Sequence, residues 1–474
     1  MIRLDRSNTG VLRSLRGLFA PGADAPRIED KGEVDRRFRR LRLQVVATLT
    51  ITYGFYYTTR LGLSVVKKPL IDGGILTAEE LGWIGAAFLW GYGIGKVGNG
   101  IIADRLNARA LVPAGLVVSA LINLVMGCNT GVLVALVLWA INGWFQGIGA
   151  PTCVVSINQW CSSRERGTAY GIWSAAHSIG EGITFVGTSA LVAATVWRSA
   201  FWGPGVFCLG VAAASYVLLR DRPQTVGLPS ANEWRGLPPS SRPGEHGAQA
   251  TIGRAQLDLL THPALWIVGT SSALMYVTRY AVNSWGVLYL QEEHGFELEA
   301  AGSLIGINTI AGIVGSAAYG FISDRFFRAR RPPVTLIYGV LEVAALVLIF
   351  YGPPGPEVAL GVGFTTLRFP VLLALGFVVY GFTLSGILAV LGGLFAVDLA
   401  DKKATGFAMG FVGAFSYLGA GIQELVSGIL IERGTTIVDG HRVYDFSTPV
   451  VFWVGSSVLS AVLATTLWKV ESRE

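Results

Sequence analysis

Charge is what this 474-residue sequence has little of: 14% of it is Asp, Glu, Lys or Arg, where a soluble domain carries about 25%. With 52% hydrophobic residues and a mean hydropathy of +0.52, the composition excludes a soluble globular chain and points to a membrane protein. Cysteine is scarce as well. The four copies, Cys128, Cys153, Cys161 and Cys208, fall in apolar segments of the first half without C-x-x-C spacing, so they read as small core residues and not as zinc or redox ligands. Five histidines are too scattered for a motif such as H-E-x-x-H. There is no nucleophile elbow, no P-loop and no G-x-G-x-x-G after a strand, so neither an enzyme nor a bound cofactor or metal is expected. The net charge of +6 does not point to nucleic acid, because lysine and arginine concentrate in loops on one side of a bilayer.

Residues 1–42 are polar and arginine-rich, ending in Arg36-Arg37-Phe38-Arg39-Arg40-Leu41-Arg42, and lack the apolar core and cleavage site of a secretory signal. They read as a basic cytoplasmic segment, with Val11 to Phe19 either a surface-lying amphipathic helix or a disordered tail. A membrane helix needs about 20 mainly apolar residues. Segments of that kind number twelve, at 43–66, 81–103, 110–128, 132–158, 167–193, 198–219, 264–291, 300–323, 333–351, 369–397, 404–431 and 447–468. The clusters Arg105/Arg109, Arg164/Arg166, Arg220/Arg222, Arg325/Arg328/Arg330/Arg331 and Lys402/Lys403 all follow even-numbered segments, which places those loops and both termini in the cytoplasm. Lys67 and Lys68 are the exception on the other side. Between segments six and seven, Arg220 to His262 is rich in Pro, Ser, Gly and Arg and is expected to be a linker, or alternatively a partner-binding loop. The expected organisation is an all-α membrane protein: a basic segment 1–42, a six-helix bundle 43–219, a linker 220–263, a second six-helix bundle 264–469 and a tail 470–474.

One short stretch occurs in both halves. Tyr57-Thr58-Thr59-Arg60 and Tyr276-Val277-Thr278-Arg279 each place an arginine inside an apolar segment, at a cost of roughly 2.5 to 3.5 kcal/mol on insertion scales. Aligning the two arginines brings Gly100-Ile101-Ile102-Ala103-Asp104-Arg105 to within one residue of Gly320-Phe321-Ile322-Ser323-Asp324-Arg325, so the halves repeat as in many transporters. Helical spacing sets Tyr53, Tyr56 or Tyr57, Arg60 and Ser64 along one face, and Ser272, Tyr276, Arg279 and Asn283 along another. Arg60 has a blander alternative, snorkelling to the outer surface near Lys67. Lys96 with Tyr92 and Asn99, His177 with Trp173 and Glu181, Gln423 with Glu424, and Glu342 are the other intramembrane polar sites; each is a functional candidate or one side of a buried salt bridge. Two guanidiniums match an anion of about −1.5 to −2 charge such as a phosphate ester better than a monocarboxylate.

The Asp104-Arg105 and Asp324-Arg325 elements resemble the signature of the major facilitator superfamily, where such residues interlock neighbouring helix ends. More specifically, Asp104 to Arg109, Gly143 to Pro151, Arg164 to Gly167, Ala176-His177-Ser178-Ile179-Gly180 and Arg220 to Pro229 resemble the organophosphate:phosphate antiporters of that superfamily, over nearly the whole chain from Val46 to Lys469. That family includes glycerol-3-phosphate and hexose-phosphate transporters and a hexose-phosphate sensor. The resemblance implies two pseudo-symmetric six-helix bundles in a bacterial-type inner membrane, exchange of an organophosphate for inorganic phosphate, and a monomer. It also implies a phosphoryl site at Arg60 and Arg279, joined by Lys96 and His177, with Tyr57 and Tyr276 beside them. A kinase partner is implied only for a sensor, and a proton-coupled carrier of another anion is the third alternative. Two departures stand out. Family members commonly carry a lysine where this chain has Leu61, and Glu181 interrupts the glycine-rich run after His177, which makes the site less positive and gives Glu181 a candidate role in coupling or selectivity.

Overall fold

The computed structural model describes residues 17–103, 105–237, 257–327, 331–353, 355–362, 365–391, 395, 405–439 and 441–469. The helices that cross the apolar layer are α1 (Lys31–Val65), α2 (Ala78–Ala103), α3 (Ala108–Cys128), α4 (Val132–Gln146, resuming as Gly149–Trp160), α5 (Arg166–Ile183, continuing to Ala194), α6 (Ser199–Leu218), α7 (Pro263–Tyr280, continuing to Glu293), α8 (Leu298–Phe326), α9 (Arg331–Tyr351), α10 (Val371–Ala389), α11 (Thr405–Gly434) and α12 (Ser447–Thr466). Each of the twelve segments expected from the sequence therefore overlaps one of these helices. The first starts earlier than expected: Asp30 accepts from the Gly32 and Glu33 amides and nucleates α1 at Lys31, so the basic run from Arg36 to Arg42 is helical. Asn107 caps α3 and His262 caps α7, with Pro263 in the first turn, where its missing N–H costs nothing.

Packing repeats between the halves. Helix α1 packs on α5 and α6 as α7 packs on α11 and α12; α2 packs on α4 as α8 on α10; α3 packs on α6 as α9 on α12. The halves meet through α2 with α11 and α5 with α8, pairs that exchange under the same pseudo-two-fold. Among the described residues, eight helices are long and apolar enough to cross a membrane: α3, α4, α6 and α8 to α12. The ones that fall short are α1, α2, α5 and α7, which carry Arg60, Lys96, His177 with Glu181, and Arg279. The candidate polar residues are thus concentrated on these four helices, with Glu342 on α9 and Gln423 and Glu424 on α11 the exceptions.

The face where α1 begins and α12 ends is the near face; the other is the far face. Toward the far face the halves are closed. A Cβ on Gly82 would lie 2.7 Å from the Glu424 carbonyl oxygen and 3.1 Å from the Gly428 Cα, so α2 and α11 touch backbone to backbone. Two antiparallel hairpins, β1 (Glu357–Val362) with β2 (Thr365–Pro370) and β3 (Thr436–Val438) with β4 (His441–Val443), lie in far-face connections. Toward the near face the same interface is splayed. A Cβ on Gly100, Gly171, Gly320, Gly410 or Gly413 meets nothing within 4 Å among the described residues.

A clamp ties down the near face of the first half. The stretch Arg220–Leu237, whose composition suggests a free linker, packs here. Its Trp234 stacks on Phe38 of α1 with centroids 4.4 Å apart, the Asp221 carboxylate accepts from the Gly22 and Ala108 amides, and Asn232 accepts from the Ser163 amide. The Pro- and Ser-rich stretch beyond it, residues 238–256, lies outside the described residues, as do Val11 to Arg16, Asp104, Lys402 and Lys403 and the Asp324 side chain. Arg105 and Arg325 are exposed, so the interlock expected of the Asp-Arg elements falls outside what is described. At the centre of the clamp, Glu165 accepts from Arg42 at 2.6 Å, from Ser162 at 3.0 Å and from Arg235.

Those donors, Arg235 first, hold the Glu165 carboxyl down from 4.5 to about 2 against the opposing effect of its partial burial. A depressed carboxyl contributes stability that is full above its unfolded value and lost as pH falls through its folded value. We expect Glu165→Gln to lower the unfolding midpoint in detergent at neutral pH by a few degrees, a modest effect because the side chain is 30% exposed. The gap from the wild type should narrow as pH falls from 4.5 toward 2, read by tryptophan fluorescence melts.

Candidate substrate site

The repeat arginines converge on the axis between the halves. Arg60 is 7% exposed and does not snorkel: its guanidinium lies 4.9, 5.3 and 4.8 Å from the ring centres of Tyr57, Phe88 and Tyr92, and donates to the Tyr280 hydroxyl of the other half at 3.1 Å. Each ring face offers a desolvated cation about 2 kcal/mol. Arg279 is 9% exposed, lies 5.8 and 5.9 Å from the Tyr276 and Tyr280 rings, and donates to Glu181 of α5 at 2.6 Å. Glu181 thus pairs with Arg279 and not with His177. Among the described residues Arg60 has no carboxylate partner.

Local structure places these groups. A π turn over Ala281–Trp285 follows Arg279 and Tyr280, and another over Thr184–Thr188 follows Glu181. Such turns loosen the regular backbone ladder and rotate the side chains before and after them out of step. His177 is half-buried, its Nδ1 bonded to the Ser174 carbonyl and its ring 6.3 Å from that of Tyr57. Lys96 is exposed on the splayed side, its ammonium 5.6 Å from the Tyr417 ring, and stands at the rim of the site. Tyr56 faces away, donating to the Val112 carbonyl within its own half at 2.6 Å. Ser272 bonds Ser416, and Glu342 accepts from Ser457 at 3.2 Å on the α9–α12 contact.

Glu424 lies elsewhere. It binds Lys67, just beyond α1, at 3.2 Å; that ammonium also donates to Ser284 at 2.7 Å and lies 3.3 Å from the Trp285 ring centre. The lysine that breaks the charge pattern of the loops is therefore a buried, 1% exposed tie between the halves on the far side of the arginines. Gln423 turns to Ser427 at 3.0 Å. Tyr280, Tyr417 and the Lys67–Glu424 tie are what sequence reasoning missed. In the repeat alignment Tyr280 pairs with Leu61, so no symmetry signal marks it.

Two cavities flank the arginines. One of about 30 Å³ is lined by Arg60, Lys67, Tyr280, Ser284 and Glu424, the other of about 20 Å³ by His177, Glu181, Arg279, Asn308 and Thr309, and Asn283 borders both. A water needs about 10 to 15 Å³ of such space, so these hold water and not a phosphate ester.

Residues 46–367 match the model of the Major Facilitator Superfamily. The membrane sensor protein UhpC of Salmonella typhimurium is 33% identical across 86% of this chain and 89% of its own length. The glycerol-3-phosphate transporter of Bacillus subtilis is 30% identical across 96% and 98%. The chain belongs to the organophosphate:phosphate antiporter family of the major facilitator superfamily. Among solved structures, a bacterial homologue of the human lysosomal transporter Spinster, inward-facing and unoccupied, superposes with a TM-score of 0.72 at 14% identity over 91% of this chain and 99% of its own, a likeness of fold. Membership in this superfamily accounts for a multi-pass membrane chain whose polar side chains gather between its halves.

The far-face tie has a measurable energy. Lys67→Met leaves Glu424 buried without its cation, which costs about 3 to 5 kcal/mol. We expect that variant to unfold at clearly lower temperature and Lys67→Met/Glu424→Leu to recover most of the loss, a double-mutant cycle read by thermal unfolding in detergent.

Proposed function

We propose that the chain exchanges an organophosphate, of the sugar phosphate or glycerol phosphate class, for inorganic phosphate by alternating access. The observation that carries this is the convergence of Arg60 and Arg279 on Tyr280 from opposite halves. A phosphoryl group held between them accepts charge-assisted bonds from both guanidiniums, with Lys96 and His177 on the entry side and Tyr57 and Tyr276 framing it. Relatives named as glycerol-3-phosphate and hexose phosphate transporters support the substrate class. The near face is the cytoplasmic one, since the basic loops lie there, and both termini with it. The splayed near face and the closed far face then make this an inward-open state of a carrier in a bacterial-type inner membrane. Residues 43–219 and 264–469 are the two halves that rock, 220–263 joins them, and one chain suffices because both arginines belong to it.

Arg60→Lys and Arg279→Lys should each cut phosphate exchange in proteoliposomes by about ten- to a hundredfold, the worth of the one or two charged hydrogen bonds of about 1.5 to 3 kcal/mol that an ammonium cannot replace. Near-normal exchange by either purified variant removes that arginine from the site.

A sensor is the second reading, favoured by the likeness to UhpC, and it would signal to a partner kinase. Radiolabelled phosphate counterflow separates the two: a carrier exchanges, while a pure sensor binds saturably without flux.

A further inference from the structure

We infer that Glu181 is a tethered counter-anion that lets the empty carrier reorient, so that the protein moves phosphate in net flux as well as by exchange. The inference rests on the phosphate-carrier reading above.

A site with two bare guanidiniums makes exchange obligatory. With no anion between them, closing the site would bury two uncompensated charges, at a cost of several kcal/mol per ion; the carrier would then wait for a substrate before rocking. This site is built differently. Glu181, from the first half, lies 2.6 Å from Arg279 of the second, in side chains 9% and 11% exposed, and supplies in cis the charge a phosphate would bring. Arg60 is cushioned by three aromatic rings and the Tyr280 hydroxyl. The other buried cation between the halves, Lys67, has its own carboxylate in Glu424. Counting Arg60, Arg279 and Lys67 against Glu181 and Glu424 leaves one unit of positive charge where the arginine pair alone would leave two.

The position of the pair matters as much as its charge. Glu181 precedes the π turn of α5 and Arg279 precedes the π turn of α7, between the closed far contacts and the splayed near ones. A contact at that level lies close to the pivot of a rocking motion. It can persist when the carrier faces either way, whereas Lys67–Glu424 must part when the far side opens. Phosphate binding displaces Glu181 from Arg279, and phosphate release lets it return. Glu181 is therefore also an intramolecular competitor of substrate.

The test uses purified full-length protein in liposomes loaded with radiolabelled phosphate, with potassium and valinomycin to prevent a membrane potential from building up. Efflux is measured into medium lacking phosphate and organophosphates, and again with phosphate outside. Wild type should release label without external substrate, well above protein-free liposomes and within about tenfold of the exchange rate. In Glu181→Gln the ratio of net efflux to exchange should fall by about tenfold or more, because an unpaired buried charge costs more than the 1.4 kcal/mol that a factor of ten requires. Glu181→Asp, which keeps the charge, should stay closer to the wild type. Exchange without net efflux in the wild type overturns the inference while leaving the carrier reading intact. So does an unchanged ratio in Glu181→Gln. Absence of exchange in the wild type overturns both. If Glu181→Gln does not fold, the wild-type flux and Glu181→Asp still decide.

Discussion

Buried cations are tolerated in this protein because each has a carboxylate, a hydroxyl or aromatic faces to stabilise it. The Arg279–Glu181 pair, the aromatic cradle of Arg60 and the Lys67–Glu424 tie are three solutions to one problem, the cost of charge away from water. The fold is arranged to make them possible. Eight helices are apolar enough to cross a membrane, and the buried charges, Arg60 and Lys67 at α1, Glu181 on α5, Arg279 on α7 and Glu424 on α11, are held where their partners can reach them. The two ion pairs and the Arg60–Tyr280 hydrogen bond cross from one half to the other, so the compensation of charge and the relative position of the halves are linked.

That coupling gives a physical account of transport by a chain with no reaction chemistry. In the proposed function, an anion between the arginines would change what Arg279 binds, and what Arg279 binds would change how the halves are joined. Small residues set the mechanical side. Gly82 and Gly428 let α2 and α11 close tightly on the far side, while the glycines of the same helices near the other face stand clear. A ligand shifts such a two-state equilibrium only through its differential affinity for the two arrangements, and a displaced carboxylate is one concrete source of that difference.

The architecture was legible in the sequence because lipid imposes a strong rule: twelve apolar runs of the right length and a repeat of one arginine followed by G-x-x-x-D-R fix the helices and the internal symmetry. Arg60 and Arg279 were legible for the same reason, as costly residues in matched positions. Partners were harder. Glu181 lies 98 positions from Arg279, and Glu424 lies 357 from Lys67, in another half of the molecule. Tyr280 breaks the repeat, and its reach to Arg60 depends on how the two halves meet at the axis. The packed stretch Arg220–Leu237 was misleading because its few anchors, Trp234, Asp221 and Asn232, are diluted by polar neighbours, while the rest of that segment has the composition of a linker.

The central claim is that phosphate takes the place of Glu181 on Arg279 while engaging Arg60. The most direct measurement is an experimentally determined structure of the protein with saturating inorganic phosphate. The expected result is density for phosphate within hydrogen-bonding distance of both guanidiniums, with the Glu181 carboxylate turned away from Arg279. Phosphate bound elsewhere, with the Arg279–Glu181 pair intact, would contradict the account.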